Sequence, residues 1–283
     1  MARSPSSSVQ AARDAVAARL RELRQDAGLR QVDIAVRTGW HGSKVSRIAS
    51  GTTPPSDTDI RAWCSACGAD DQADDLIAAS RAADTMYVEW RRVQRAGLRR
   101  VQESRVPLYQ RTRLFRVYCS NVIPGLFQTG PYATALLRAI ARFHRTPDDV
   151  AEAVAARLAR SDGVVREGDH RFAVLIEESV LRNRVGDART MAGQLGYLLA
   201  LMSLPRVSLG IVPFSARREM WTLEAFNVFD DQRVHVELLT AAVTVTAPTE
   251  VAQYVRAFGE LASLAVYGAA ARTLISEAIN ALE

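Results

Sequence analysis

The sequence is almost devoid of lysine, is poor in cysteine and contains no long apolar run. Lys44 is the only lysine among 36 basic residues, so arginine carries nearly all of the positive charge. Three cysteines form an odd and sparse set, which excludes a disulfide framework and suits a reducing compartment. No stretch approaches the roughly 18 apolar residues that a membrane helix requires, and residues 1–5 lead into serines rather than an apolar signal core. We therefore expect a cytoplasmic protein without a membrane partner.

The length and composition are those of an ordinary globular protein with more than one core. The chain has 283 residues, of which 48% are hydrophobic and 24% are charged, so disordered and fibrous classes are excluded. This length exceeds one typical domain and is sufficient for two.

Positive charge is concentrated in residues 91–116. This stretch contains nine arginines and one acid, Glu103, and its local excess of +8 exceeds the net charge of +5 for the whole chain. The arginines are Arg91, Arg92, Arg95, Arg99, Arg100, Arg105, Arg111, Arg113 and Arg116. Such a stripe attracts phosphate or an acidic partner, and the alternative is a solvated helix face. Both interpretations stay open.

The order of periodic segments predicts an α+β protein. Apolar spacing predicts helices at about 11–27, 31–38, 42–49 and 57–67, then a long polar helical stretch at about 71–105. Strand-like runs follow at 114–118, 172–176, 207–212, 226–229, 234–238 and 243–245, with a hairpin turn at 230–232. Further helices are predicted at 130–142, 147–160 with Thr146 as cap, 187–203 and 249–282. Helices first and strands late predict a second domain with a mainly antiparallel sheet. We assign 11–80 to an all-helical domain, 81–106 to a basic helical linker and 107–283 to the α+β domain.

Residues 31–49 have the pattern of a helix-turn-helix. Ala35 is small where two helices would touch, and Gly39 permits the turn between them. Ile34, Val45 and Ile48 would supply the apolar contacts between the helices. The predicted DNA-facing residues are Gln31, Gly42, Ser43, Lys44, Ser46 and Arg47. The alternative is a helical hairpin inside an all-helical core.

The chain resembles a known family over about residues 14–270. Segments 19–29 and 31–51 are similar to Xre/Cro-type helix-turn-helix domains. The rest resembles DUF5753, the C-terminal domain of actinobacterial Scr1-type regulators. The segments that carry this second resemblance are 123–129, 132–133, 175–178, 181–182, 194–195, 204–209, 212–214 and 234–239.

The resemblance implies a transcriptional regulator and a protein partner. Such proteins are often encoded beside a small DUF397-type protein that they bind and in some cases neutralise as antitoxins. It implies no catalytic residue, cofactor or metal, and no small-molecule ligand is identified.

Four features depart from the family pattern. Arg30 stands where Ser or Thr usually caps the first helix of the motif. His41 and Gly42 replace a capping serine and a polar contact residue, which predicts a shifted or loosened start of the second helix. Trp40 replaces a smaller aliphatic residue and predicts a bulged turn. Residues 49–50 replace an acid–amide pair.

Other candidate sites are weaker. Cys64 and Cys67 are spaced as in redox motifs, but no strand precedes them and they lie inside a predicted helix, so we interpret them as small apolar residues. A zinc site would need further ligands, and Cys119, His144, His170 and His235 are scattered. The acids Glu177, Glu178 and Asp187, and the pair His235 and Glu237, lack a nucleophile, a phosphate loop or metal spacing. We therefore expect no enzymatic activity.

Two hypotheses remain. The first is a sequence-specific, autoregulatory DNA-binding regulator that acts as a homodimer and whose second domain receives a partner or signal. It would be associated with the nucleoid in the cytoplasm. The second is an antitoxin-like interaction protein that chiefly binds and neutralises a small DUF397-type partner.

Overall fold

The computed structural model describes residues 7–82, 87–89, 97–221, 224–239 and 241–282. The predicted α+β class is confirmed, with helices first and a sheet in the later part of the chain. The chain divides into two compact units, one of Met1–Tyr87 with Val243–Ala252, the other of Val88–Ala242 with Gln253–Glu283. The division after Tyr87 falls inside the segment assigned above to a linker.

The first unit is built from short helices around a small apolar core. Its helices are α1 (Ser7–Asp26), α2 (Gln31–Thr38), α3 (Gly42–Ala49), α4 (Asp57–Cys67), a 3-10 turn (Asp70–Gln72) and α5 (Ala73–Ala82). The bounds of α2, α3 and α4 are those predicted. Leu20, Ile34, Ile60 and Trp63 are fully buried. The Trp63 indole N–H donates to the Leu20 carbonyl at 2.9 Å, which fixes α4 against α1.

The later elements comprise a seven-stranded sheet and its covering helices. They are, in chain order, β1 (Tyr87–Glu89), α6 (Leu98–Glu103), α7 (Val106–Arg111), β2 (Leu114–Cys119), α8 (Gly130–His144), α9 (Val150–Ser161), β3 (Arg171–Glu177), α10 (Glu178–Arg182), α11 (Ala188–Leu201), β4 (Val207–Val212), β5 (Phe226–Phe229), β6 (Arg233–Glu237), β7 (Ala241–Val245), α12 (Pro248–Leu264) and α13 (Gly268–Asn280). A 3-10 turn (Gly125–Phe127) precedes α8, and a π-helical turn (Asp162–Glu167) extends α9. The strand order is β1-β7-β6-β5-β2-β3-β4.

The sheet is mixed rather than mainly antiparallel. β2 pairs in parallel with β3, and β3 with β4, whereas β2–β5 and β5–β6 are antiparallel. Parallel neighbours need a crossover of a dozen or more residues. The helices α8 and α9 provide it between β2 and β3, and α10 and α11 provide it between β3 and β4. The helices predicted between these strands indicate parallel pairing, because parallel neighbours need such a crossover. The expectation of a mainly antiparallel sheet overlooked this signal.

The main core lies on one face of the parallel strands. Alternate residues of β2, β3 and β4, such as Phe115, Val174 and Leu209, are buried in one apolar cluster. Leu195 of α11 and Ile275 of α13 close the same cluster. This period-two alternation is what a strand with one face on the core requires.

Three predicted segment boundaries are wrong. The continuous helix predicted at 71–105 is interrupted by β1, and Gly97, with φ of +91°, precedes a separate helix α6. Helix α9 starts at Val150 rather than 147, because the Asp149 carboxylate accepts the backbone N–H groups of Leu98 and Arg99 at 3.0 and 2.9 Å and so caps α6. The predicted helix 249–282 is broken at Val266, whose backbone pairs with Ile211 of β4.

Candidate nucleic-acid interface

The two helices of the motif are held together by apolar side chains. Ile34 of α2 and Val45 and Ile48 of α3 are each at most 1% exposed. Gly39 follows α2 with φ of +71°, a left-handed conformation that glycine adopts without steric cost. The Trp40 N–H donates to the Ala35 carbonyl at 3.0 Å and completes the turn. The predicted helix–turn–helix geometry is therefore present.

The start of α3 is neither shifted nor loosened. The helix begins at Gly42, and the His41 ring Nδ1 accepts the Ser43 backbone N–H at 3.3 Å. An imidazole nitrogen thus performs the capping role usual for a serine oxygen. The turn is not bulged either, because the Trp40 ring packs inward, with its centroid 6.5 Å from that of Trp63. The expectations of a shifted or loosened start of α3 and of a bulged turn are therefore both wrong.

The outward face of α3 is polar and carries no acid. Gly42, Ser43, Ser46 and Arg47 are exposed, as is Gln31 at the start of α2. The structure therefore brings five of the six predicted DNA-facing residues to the surface of the motif. Their contact with DNA stays a prediction.

Lys44 has a different environment from the other five. Its Nζ lies 2.6 Å from Oδ1 of Asp59 and 4.2 Å from the centroid of the Trp40 ring, and the side chain is 39% exposed. Asp59 also accepts the backbone N–H of Ser56, so the same carboxylate caps α4 and binds Lys44. The lysine therefore connects α3 to α4 within the unit.

Arg30 adds a cation next to the helix-turn-helix. From the sequence, this residue was noted only as a departure from the usual capping Ser or Thr. Its side chain is 80% exposed, and it pairs with Asp33 one turn into α2. Hydrogen bonds from the Arg30 side chain and backbone hold the pKa of the Asp33 carboxyl below its usual range. The signal in the sequence was the position of Arg30, immediately before a helix whose first residue, Gln31, is predicted to face DNA.

The carboxylates of the second unit are occupied by structural partners. Glu177 accepts the Tyr118 hydroxyl at 2.8 Å and pairs with Arg218, and Glu178 pairs with Arg182 at 2.9 Å. These groups terminate β3 and hold neighbouring loops. Asp187 is separate from them and caps α11 through the Thr190 backbone N–H at 2.8 Å.

The pair His235 and Glu237 also has structural contacts. The His235 ring packs on Phe229 with centroids 4.8 Å apart, and Glu237 pairs with Arg105. Burial, with repulsion from Arg105 and Arg233, lowers the pKa of His235 to about 4. The attraction of Arg105 keeps the pKa of Glu237 low.

The cysteine pair lies inside α4, as predicted. Cys64 is fully buried and burial raises the pKa of its thiol to about 11, which is opposite to the shift that a reactive thiolate needs. Within the described parts of the chain, no group of three or more histidine, cysteine or acidic side chains could hold a metal ion. No helix over the same residues is long and apolar enough to cross a membrane.

Acidic partners neutralise part of the arginine stripe among its described residues. Arg91, Arg92 and Arg95 lie outside the described residues. Three of the others have acidic partners, in the pairs Arg99–Glu103, Arg105–Glu237 and Arg116–Asp231. Arg100, Arg111 and Arg113 have no ion pair among the described residues.

The first unit belongs by its geometry to the class of helix-turn-helix DNA-binding domains, because two short helices are locked across a left-handed glycine with a polar second helix outward. The family model described as a helix-turn-helix domain matches residues 15–76. The model described as a domain of unknown function (DUF5753) matches residues 106–277, more than half of the chain, and the chain belongs to that family. The helix-turn-helix domain and the DUF5753 domain of the resemblance are confirmed, whereas the Xre/Cro type and the relation to actinobacterial Scr1-type regulators stay predictions. No curated protein and no solved structure matches the chain.

Proposed function

We propose that the protein is a sequence-specific transcriptional regulator that binds DNA through α3 as a homodimer and represses or activates its own gene. The observation that carries this proposal is the acid-free, exposed face of α3, with Ser43, Ser46 and Arg47 on a helix whose inner face is fully buried. The start of such a helix is the part that reaches base edges in this motif.

Arg47 is the residue on which the test depends. Its side chain is exposed and has no acidic partner among the described residues, whereas Lys44 is bound to Asp59. We expect Arg47 to make the stronger DNA contact of the two cations. Gln31 and the amide groups at the start of α2 would contact phosphate and fix the position of the motif.

The experiment begins with selection of the DNA site from a random duplex library by the full-length protein. Fluorescence anisotropy at fixed salt then compares the wild type with Arg47→Ala, which we expect to bind about 10-fold or more weakly, since one base contact contributes about 1–3 kcal/mol. Arg142→Ala is the matched control, because Arg142 is exposed in the last turn of α8. Equal affinity of Arg47→Ala and the wild type would refute the assignment of α3 as the recognition helix.

The second domain is proposed to receive a partner or a signal. The alternative function, an antitoxin-like protein that chiefly binds a small DUF397-type protein, is favoured by exposed apolar side chains in the second unit. Phe214 is 63% exposed, Trp221 is 65% exposed and Leu239 is 69% exposed. Isolation of the tagged protein from its own host, with identification of bound DNA and protein, distinguishes the two. Recovery of DNA without a small protein supports the regulator alone, and a stoichiometric small protein supports the alternative.

A further inference from the structure

A cavity of about 580 Å³ lies where the end of α7, the start of β2 and the β5–β6 hairpin meet. Its lining includes the guanidinium-bearing residues Arg111, Arg113 and Arg233 and the apolar side chains of Leu108 and Phe229. The volume falls in the range of pockets that hold small organic ligands. All of these residues belong to the second unit.

The acid in the lining forms no ion pair with the lining arginines. The carboxylate of Asp230 accepts the backbone N–H groups of Arg113 and Leu114, at 2.9 and 2.8 Å, and so fixes the hairpin to β2. Asp231 at the same turn is paired with Arg116. Within the described part of the chain, Arg111, Arg113 and Arg233 form no ion pair, so the lining carries three cations and one anion that is already hydrogen-bonded.

The arginines lie close enough to affect each other. Burial lowers the pKa of Arg233, and repulsion from Arg111 lowers it further. Two guanidinium groups that repel each other at the wall of a cavity are stabilised by an anion between them, and the planar guanidinium matches the oxygens of phosphate. The position is therefore suited to a group with two negative charges.

One side of the cavity is apolar. Leu108 is only partly buried and supplies the apolar surface at this side, whereas Phe229 is 3% exposed and belongs to the main core. Inorganic phosphate alone would leave this surface without a contact, whereas a ligand with an apolar or ring-shaped part would cover it.

We propose that this cavity binds a small organic phosphate, with its phosphate at Arg111 and Arg233 and its apolar part against Leu108. The proposal gives a chemical class to the signal received by the second domain and rests on the proposed function in that respect. The binding itself does not require DNA.

Isothermal titration calorimetry on the full-length protein tests the proposal, with phenyl phosphate, inorganic phosphate and phenol as probes at constant ionic strength. We expect phenyl phosphate to bind more tightly than inorganic phosphate and phenol not to bind. Arg111→Gln/Arg233→Gln should weaken phenyl phosphate at least 10-fold, whereas the exposed control Arg142→Gln should leave its affinity unchanged. Melting curves without ligand show whether the double variant is folded, and because the change removes a repulsion, a stability near that of the wild type is expected.

Several results would overturn the proposal. Absence of phenyl phosphate binding to the wild type at millimolar concentration refutes the site, and equal affinity in the folded double variant refutes the role of the arginines. Equal affinity for phenyl phosphate and inorganic phosphate refutes the apolar contact. Arg47→Ala, measured in the same assays, distinguishes failure of the ligand proposal from failure of the DNA-binding proposal. This variant should lose affinity for DNA and keep the wild-type affinity for phenyl phosphate. If the double variant instead loses only affinity for duplex DNA, the arginines bind nucleic acid and the small-ligand proposal is wrong.

Discussion

At the scale of single residues, Lys44 shows how a cation in the proposed recognition helix can stabilise the fold. Burial of Asp59 by itself raises the pKa of that carboxyl, but hydrogen bonds from Lys44 and Ser56 outweigh burial, so the pKa lies below its usual value. A lowered carboxyl pKa contributes stability that is present above the unfolded-state pKa and is lost as the pH falls through the folded-state value. The ion pair between α3 and α4 should therefore stabilise the first unit at neutral pH.

We expect Lys44→Met to lower the free energy of unfolding by up to about 1 kcal/mol at pH 7, the usual limit for a partly exposed ion pair. Because the variant raises the pKa of Asp59, the difference from the wild type should shrink as the pH falls below about 3.8, the ordinary value for aspartate. Urea unfolding at several pH values measures it, with Lys44→Arg as the charge-retaining control. A constant difference at all pH values would argue against the pairing with Asp59.

Gly39 and Gly42 form a matched pair for testing the turn. Neither has a heavy atom within 4 Å of the position that an added Cβ would occupy, but Gly39 has φ of +71° and Gly42 is helical. Gly39→Ala should cost about 1–2 kcal/mol in unfolding free energy, because an L-residue is strained in the left-handed region. Gly42→Ala should be neutral or stabilising by up to about 1 kcal/mol. Similar losses from both changes, measured by thermal unfolding, would contradict this account.

At the scale of elements, β6 carries a histidine whose titration affects stability. Burial and the charges of Arg105 and Arg233 lower the pKa of His235 to about 4 in the folded protein. The unfolded chain binds this proton near pH 6.5, so it holds more protons than the folded protein between pH 6.5 and 4. Stability must therefore fall as the pH is lowered through that window.

His235→Gln removes the imidazole that takes up this proton. We expect the loss of unfolding free energy between pH 7 and pH 4.5 to be smaller in the variant than in the wild type, by at most about 3 kcal/mol. His144→Gln, at the end of α8, serves as the control. An unchanged pH dependence in His235→Gln would show that the pKa of His235 is the same in the folded and unfolded states, which contradicts this account.

The segment 123–129, quoted above for the family resemblance, is fixed by the buried side chain of Gln194 in α11. Its amide accepts the Thr129 backbone N–H at 2.8 Å and donates to the Phe127 carbonyl at 2.7 Å. Gln194→Ala leaves both backbone groups without their partner, and we expect a loss of about 2–4 kcal/mol in unfolding free energy. Gln232→Ala, at an exposed hairpin position, is the control, and a loss below about 1 kcal/mol in Gln194→Ala would contradict this role.

The elements that local periodicity describes could be predicted from the sequence, and those that depend on distant partners could not. The bounds of α2, α3 and α4 follow from apolar spacing and from Gly39 and Ser56 at their ends. The break at Val266 depends on pairing with Ile211, 55 residues earlier in the chain, and the start of α9 depends on Asp149 capping α6. At the site, exposure of Arg47 was predictable from the helical period, whereas the attachment of Lys44 to Asp59 required the packing of α4 on α3.

At the scale of the whole molecule, charge is distributed differently from what the sequence indicates. The stripe in residues 91–116 carries an excess of +8, yet three of its arginines are paired with acids, two of which, Glu237 and Asp231, are distant in sequence. Of the three other described arginines, Arg111 and Arg113 line the cavity beside Arg233, and Arg100 is exposed on α6. Apart from Arg100, the described part of the stripe is therefore divided between structural ion pairs and a candidate ligand site.

The size of α3 limits what one copy of the protein can recognise. Eight helical residues span about 12 Å, which is three to four base pairs, and such a short site occurs too often in a genome to specify one promoter. We therefore expect two copies on two half-sites whose centres are about 10 base pairs, or a multiple of that, apart. Sedimentation of the complex should give two protein chains per selected duplex, and changing the spacing by about five base pairs should weaken binding because the second α3 then faces the opposite side of the DNA. A complex with one protein chain per duplex, whose affinity does not depend on the half-site spacing, would contradict the dimer. In that case Arg47→Ala should weaken protein contact at one region of the DNA rather than at two.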